Sequence, residues 1–114
     1  MNRFKIYYTN QKWHFELIPG NKGKQPMAFS VLYNSESECK QAIMSFKQHV
    51  IEKQICSYSS NFVGIFQENN RFVYKYFDES GRLLVYSRQL EQKKSAKNAI
   101  KRIFEQYIYS EIIV

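Results

Sequence analysis

The sequence has few of the residues from which catalytic and metal-binding sites are usually built. Its 114 residues include two histidines, His14 and His49, one aspartate, Asp78, and two cysteines, Cys39 and Cys56. Neither histidine stands in a metal-binding spacing such as H-E-x-x-H, and the cysteines form no C-x-x-C motif. No P-loop, dinucleotide fingerprint or nucleophile motif is present. We therefore predict that the protein is not an enzyme and has no catalytic residues, metal site or cofactor.

The sequence also has too few cysteines for a disulfide scaffold. Cys39 falls on the apolar side of a predicted helix and Cys56 on a predicted strand, so both are interpreted as structural residues. No apolar run of 18 residues occurs, so we predict no membrane span. The first residues enter a strand pattern directly and contain no apolar signal core, which favours a cytoplasmic protein.

Positive charge and aromatic rings are plentiful. Seventeen lysines and arginines face ten acidic residues, which gives a net charge of +7, and 17% of the residues are aromatic. An excess of positive charge allows a polyanionic partner, although a solvated basic surface is the simpler explanation. The aromatic content favours a sheet, because large rings pack well on pleated surfaces.

An internal repeat organises the chain. Residues 4–18 align with 63–77 at an offset of 59, and the offset becomes 57 further on, where Ile43 faces Ile100. Each repeat has the order β-β-β-α-β. The predicted elements of the first repeat are strands at 4–8, 12–18 and 27–32, a helix from the Ser35–Glu38 capping box to about residue 51, and a strand at 54–58. Those of the second repeat are strands at 62–67, 71–77 and 82–88, a helix at 92–106 and a strand at 111–114.

These elements predict an α+β fold. Each three-stranded meander has one apolar face that an amphipathic helix can cover. Repeats of this size are marginal alone, so we expect residues 1–114 to form a single domain, with a first repeat at 1–58 and a second at 59–114. One antiparallel-rich sheet with two helices on one face satisfies both repeats. The strand after each helix needs a free sheet edge, which the other repeat can offer.

The residues that carry this pattern resemble the YegP-like family of small bacterial proteins of unknown function. The matching stretches in the first repeat are Phe4-x-Ile6-Tyr7, Trp13-x-Phe15-x-Leu17 and Ala28-x-Ser30-x-x-Tyr33-x-Ser35-x-x-x-Cys39-x-x-x-Ile43-x-Ser45-x-Lys47. The second repeat matches more weakly, at Ser80-Gly81, Ser87 and Ala99-Ile100. The resemblance implies tandem β(3)-α-β repeats that exchange their C-terminal strands, and it transfers no catalytic residue.

Two local departures from the family pattern concern packing. The loop before the third strand is longer here and contains Gly20, Gly23 and Pro26. Ala42 and Ala99 stand where the family often has glycine.

The sheet face opposite the helices is the best candidate for a functional surface. Strand alternation places aromatic and basic side chains there; the candidate contact residues are Tyr7, His14, Phe66, Arg71, Val73, Lys75 and Phe77. The phase of the third strand in each repeat stays open, so Tyr86 and Arg88 are further candidates.

This face suits three functions. The leading hypothesis is a non-enzymatic interaction module that forms a homodimer or binds another protein. The alternative is binding of single-stranded nucleic acid by stacking and phosphate attraction. A structural interpretation, in which cross-strand pairs only stabilise the sheet, also fits. An enzyme of unknown class would need a pocket with converging polar groups.

Overall fold

The computed structural model describes residues 2–20 and 25–113, which form one seven-stranded sheet and two helices. Residues 21–24 of the predicted loop and residue 114 of the predicted last strand lie outside the described residues. In chain order the elements are β1 (Arg3–Thr9), β2 (Lys12–Ile18), β3 (Ala28–Ser30), α1 (Glu36–Glu52), β4 (Val63–Glu68), β5 (Arg71–Phe77), β6 (Leu83–Ser87), α2 (Lys93–Arg102), a π-helical turn (Ile103–Tyr107) and β7 (Glu111–Ile113).

Two tight hairpins determine the register of the sheet. Asn10 and Gln11 join β1 to β2 with φ of 53° and 65°, and Asn69 and Asn70 join β4 to β5 with φ of 51° and 63°. Two consecutive residues with positive φ are typical of the type I′ turn, whose twist matches that of the strands.

The strand order is β4-β5-β6-β3-β2-β1-β7. All neighbours are antiparallel except β7, which pairs in parallel with β1 at the far edge. The two meanders therefore meet at their third strands, β3 and β6. The α+β class and the single antiparallel-rich sheet are confirmed.

The core lies between the helices and one face of the sheet. Phe46 of α1 contacts Phe4 and Phe15 of the first meander, with ring centroids 6.2 Å and 6.3 Å away. It also contacts Tyr76 of the second meander at 5.2 Å. Ile100 of α2 belongs to the same buried cluster. Both helices therefore cover the same face, as predicted.

Two buried serines, Ser30 and Ser87, bond to the neighbouring strands at the points where β3 and β6 end. The Ser30 hydroxyl accepts a hydrogen bond from the backbone N–H of Phe15 at 2.8 Å, and the Ser87 hydroxyl accepts one from Tyr74 at 3.0 Å. Each hydroxyl also donates to the carbonyl of the next residue. The side chain thus replaces a backbone partner that the departing strand no longer supplies.

The strand predicted at 54–58 is wrong. After α1 the chain turns through Gln54, whose φ is 52°. The amides of Gln54 and Ile55 then donate to the helix carbonyls of Ile51 and Val50. Because the helix end uses these amides, they are not available for a sheet ladder. The exchange of C-terminal strands is therefore seen only for β7, which joins β1, although Ile55 is still fully buried.

Two other elements differ in extent from their predictions. The third strand of the first repeat spans three residues rather than 27–32. The second helix is α-helical only to Arg102 and continues as a π-helical turn, instead of running unbroken over 92–106.

Candidate functional site

The sheet face turned away from the helices is called the open face here. Along each strand, the side chains that alternate with the buried ones point toward this face. The register then places these side chains next to one another across the sheet. Its members include Lys5, Tyr7, Lys12, His14, Glu16, Phe29, Phe66, Glu68, Arg71, Val73, Lys75, Phe77 and Tyr86.

A central row crosses this face from one meander to the other. The register pairs Lys75 with Tyr86, Tyr86 with Phe29, Phe29 with Glu16, and Glu16 with Lys5. The rings of Phe29 and Tyr86 are 5.8 Å apart at the junction of β3 and β6. The row therefore has an aromatic centre, with a cation on one side and two neighbouring residues of opposite charge, Glu16 and Lys5, on the other.

An aromatic patch lies on β4 and β5 beside this row. The rings of Phe66 and Phe77 meet edge to face at 6.1 Å. Lys75 places its Nζ 5.2 Å from the Phe66 ring and 3.0 Å from a carboxylate oxygen of Glu68. Phe66 bends over Gly64, where an added Cβ would be 2.9 Å from the ring. Glycine at this position thus allows Phe66 to lie flat while 41% of it stays exposed.

Two predicted contact residues contribute less than expected. Val73 lies on the open face but is only 4% exposed, because it pairs directly with Phe66. It therefore supports the patch and offers little surface. Arg71 lies at the start of β5, where its Nη1 is 3.8 Å from a carboxylate oxygen of Glu91.

The other predicted residues, Tyr7 and His14, form a separate group on β1 and β2. Their rings stack at 5.5 Å, and His14 Nε2 lies 2.8 Å from a carboxylate oxygen of Glu16. Lys5 places its Nζ 5.2 Å from the Tyr7 ring. Burial raises the pKa of Tyr7, and the negative charge of Glu16 raises it further, whereas Arg3 lowers it.

The seven predicted residues are therefore split between two groups that β6 and β3 separate. Phe29 and Tyr86 connect the groups. The phase of β6 places Tyr86, one of the two further candidates, on the open face, where 38% of this residue is exposed. Phe29 was missed, although its position between the small residues Ala28 and Ser30 is the alternation of a half-buried strand. Arg88 does not join the open face, because the chain leaves the sheet after Ser87.

A cleft of about 570 Å³ lies on the other side of the sheet, between α1 and the turn that joins β5 to β6. Asp78 accepts hydrogen bonds there from the Ser80 hydroxyl at 2.7 Å and from the backbone N–H of Arg82 at 2.9 Å. These bonds lower the pKa of Asp78 to about 2. His49 Nε2 lies 2.9 Å from the Phe77 carbonyl oxygen. Asp78 therefore stabilises the turn between β5 and β6, and His49 connects the end of α1 to the end of β5.

A second, smaller cleft of about 250 Å³ lies between β6 and α2. Arg88 and Arg102 line it, and the Tyr74 hydroxyl in its wall donates to the Met27 carbonyl oxygen at 2.6 Å. Burial raises the pKa of Tyr74, whereas the positive charges of Arg88 and Arg102 act in the opposite direction. This cleft is called the α2 cleft below.

The described part of the chain contains neither a group of potential metal ligands nor a helix suited to crossing a membrane. Within residues 2–20 and 25–113, no three histidine, cysteine, aspartate or glutamate side chains form a group that could hold an ion. No helix there is long and apolar enough to cross a membrane.

The sheet order and the two helices on one face define a β-meander α+β fold that has been seen in solved structures. The chain is similar to UPF0339 protein SO3888 from Shewanella oneidensis, with a TM-score of 0.77 and 16% identity over 98% of this chain and 89% of that one. It is equally similar to yegP from E. coli, a protein of unknown function, with a TM-score of 0.77 and 15% identity over 98% and 90% of the two chains. The predicted resemblance to the YegP-like family is thus confirmed at the level of the fold. No protein-family model matches the chain, and no curated protein matches it.

Proposed function

We propose that this protein is a non-enzymatic interaction module and that the open face binds a second molecule of the same chain. The observation that carries the proposal is the exposed aromatic surface of the open face. It consists of the aromatic centre, Phe29 and Tyr86, and the neighbouring aromatic patch, Phe66 and Phe77; Tyr86 and Phe66 are the exposed members. No helix or strand among the described residues covers this face. Exposed aromatic surface of this kind typically marks an interaction site.

The central row is self-complementary, which favours a second copy as the partner. A two-fold axis parallel to the strands, midway between Phe29 and Tyr86, would set Tyr86 of each molecule against Phe29 of the other. The same rotation sets Lys75 against Glu16 of the second molecule. Opposite charges then face each other on both sides of the aromatic centre.

The size of the face is sufficient for such a contact. The molecule measures 33 × 33 × 27 Å along its principal axes. A face bounded by two of these extents has a projected area of about 900–1,100 Å², and a standard interface buries about 800 Å² on each partner. Two sheets packed face to face would also bury their aromatic side chains in the manner of a β-sandwich.

The charges of the open face favour this function over binding of nucleic acid on the same face. Lys75 is paired with Glu68, Arg71 with Glu91, and Glu16 lies beside His14 and Lys5. Lys75 and Arg71 are thus already close to carboxylates, which weakens their attraction for a phosphate backbone. Binding of single-stranded nucleic acid on this face stays a prediction with less support than the dimer.

Light scattering coupled to size-exclusion chromatography tests the proposal. The wild-type protein should show a concentration-dependent mass that reaches twice 13.7 kDa, and Phe66→Asp should remain a monomer. Met44→Asp on the outer side of α1 is the matched control, because Met44 is 59% exposed and far from the open face. It should dimerise as the wild type does.

A charge-reversal pair makes the test specific for the proposed pairing. Lys75→Glu and Glu16→Lys should each weaken the dimer, because each places like charges opposite each other. The double variant should restore at least part of the affinity. A wild-type protein that is monomeric up to millimolar concentration would refute self-association.

A further inference from the structure

The positive charge of the chain is concentrated in α2. This helix, with the sequence KKSAKNAIKR, contains five cationic residues and no acidic one. The whole chain has a net charge of +7. The apolar residues of α2 point inward, where Ala96 and Ile100 are fully buried. The side of the helix that faces solvent is therefore almost entirely basic.

The cations form two rows along the outer side of α2. Residues four apart lie above one another on a helix, about 6 Å along the axis. One row contains Lys93, Lys97 and Lys101, and the other contains Lys94 and Arg102 with Asn98 between them. Like charges at this spacing repel and destabilise a helix. Among the described residues, no carboxylate lies within 4 Å of any of these five side chains.

The corresponding helix of the first repeat lacks this pattern. At the offset of 57, four of the five cations of α2 align with residues of α1 that are not basic. The aligned residues of α1 are Glu36, Ser37, Lys40, Met44 and Ser45. The inward positions, by contrast, are apolar in both helices, with Cys39 and Ile43 aligned with Ala96 and Ile100. The requirements of the core therefore do not explain the basic rows.

The α2 cleft adds one further arginine, Arg88, beside Arg102 on one flank of the rows. Arg88 and Arg102 line it together with the polar side chains of Ser95 and Asn98. At the offset of 57, valine and serine stand in the first repeat where the second has these arginines. The volume of about 250 Å³ is below the range usual for sites that bind small organic ligands. Two guanidinium groups beside so small a recess suit a single phosphate group.

An exposed aromatic ring lies on the opposite flank. Tyr58 is 46% exposed, and its ring centroid is 4.5 Å from Nζ of Lys97. An aromatic ring at the border of a basic surface can stack on a base of a single strand. In angular order around the helix, Lys101 and Lys94 lie between Lys97, which contacts Tyr58, and Arg102, which lines the α2 cleft.

From this arrangement we propose that the outer side of α2 binds single-stranded nucleic acid. The strand would cross the helix, with one phosphate between Arg88 and Arg102, further phosphates against the lysine rows, and a base on Tyr58. This site is separate from the open face and does not depend on self-association. An anionic membrane is less favoured, because helices that bind membranes present large apolar residues beside their basic ones. The outer side of α2 has no such residue.

Fluorescence anisotropy with labelled 12-nucleotide DNA and RNA of mixed sequence tests the proposal. Binding should be measurable at 50 mM salt and weaken steeply by 200 mM, because cations that contact phosphates release counterions. For a single strand, the slope of log K against log salt changes by about 0.7 for each phosphate contact. The Lys94→Glu/Lys101→Glu variant should therefore bind at least tenfold more weakly and lose about 1.4 from the slope.

A variant with the same change of net charge provides the matched control. Lys40→Glu/Lys53→Glu lies on α1 and its C-terminal cap, where both lysines already pair with carboxylates. Its affinity should stay within about twofold to threefold of the wild type. Equal losses in the two double variants would overturn the site, because they would reflect net charge alone. Tyr58→Leu should weaken binding about fivefold or more if a base stacks there.

Three further results separate this site from its alternatives. No binding of either oligonucleotide at 50 mM salt would overturn it. Binding to vesicles with 30% phosphatidylserine, without binding to the oligonucleotides, would also overturn it and assign the basic rows to a membrane surface. Phe66→Asp should leave oligonucleotide binding unchanged, whereas the α2 variants should leave the mass in light scattering unchanged. Failure of one proposal is thus distinguishable from failure of the other.

Discussion

Three buried tyrosines of the core allow a test of how buried hydroxyl groups contribute to the stability of the protein. Tyr74, Tyr76 and Tyr107 are all almost completely buried. The hydroxyl of Tyr74 donates to the Met27 carbonyl, whereas those of Tyr76 and Tyr107 have no hydrogen-bond partner among the residues that the structure describes. A buried hydroxyl without a partner costs about 1–3 kcal/mol of desolvation. The same substitution, tyrosine to phenylalanine, should therefore have opposite effects at these positions.

Tyr76→Phe removes an unpaired hydroxyl and keeps the ring, which packs edge to face on Phe46 and Tyr74. We expect the free energy of unfolding to stay the same or rise by about 1 kcal/mol, and likewise for Tyr107→Phe. For a chain of this length, about 1 kcal/mol corresponds to a rise of about 4 °C in Tm. Tyr74→Phe leaves the Met27 carbonyl without its donor, so we expect a loss of about 1–3 kcal/mol.

Urea unfolding followed by circular dichroism measures these differences, with the slope of each transition as a check that only stability changes. The decisive result is the order of the free energies of unfolding: Tyr76→Phe and Tyr107→Phe should be at least as stable as the wild type, and Tyr74→Phe should be less stable. If Tyr76→Phe lowers the free energy of unfolding by more than about 1 kcal/mol, its hydroxyl has a partner, such as an internal water, and the reasoning is refuted. If Tyr74→Phe is neutral, the bond to Met27 contributes nothing.

Two further predictions concern other buried groups. Ser30→Ala and Ser87→Ala should each lower the free energy of unfolding by about 1–3 kcal/mol in the same assay, because the amides of Phe15 and Tyr74 lose their acceptors; Ser37→Ala, at an exposed position of α1, is the control and should change little. Burial raises the pKa of Cys39 to about 11, so at pH 8.5 a disulfide-exchange reagent should modify only the exposed Cys56. One thiol per native chain and two per unfolded chain are expected, and two fast-reacting thiols in the native protein would contradict the burial of Cys39.

Local patterns predicted much of the fold because their causes are local. Alternation along β1, β2, β4 and β5 places Phe15 and Tyr74 inside and His14 and Lys75 outside. The Ser35 cap of α1 also forms as predicted, with the Ser35 hydroxyl accepting from the Glu38 amide at 3.1 Å. These features depend on residues close together in the chain.

Features that depend on distant partners were harder to predict. The phase of β6 is shifted by an irregularity opposite Tyr76 and Phe77, which alternation alone cannot show. The segment around Ile55 has a strand-like composition, but the end of α1 uses its amides. On the open face, adjacent strands predicted that Phe66 and Phe77 share one surface, whereas their ring contact depends on Phe66 lying over Gly64. Tyr7 lies far from these two rings because β6 and β3 separate the β4–β5 hairpin from the β1–β2 hairpin.

The pairing of β1 with β7 has a consequence for how the chain folds as it is synthesised. Arg3 lies beside Glu111, and no other described strand occupies that edge of β1. On a growing chain, β1 and β2 can form their hairpin early, but one edge of β1 must wait until more than a hundred later residues have been made. Contacts of such long range slow folding and leave a strand edge open to wrong partners. We therefore expect the chain on the ribosome, in which this edge of β1 is still unpaired, to be more exposed to aggregation than the folded protein.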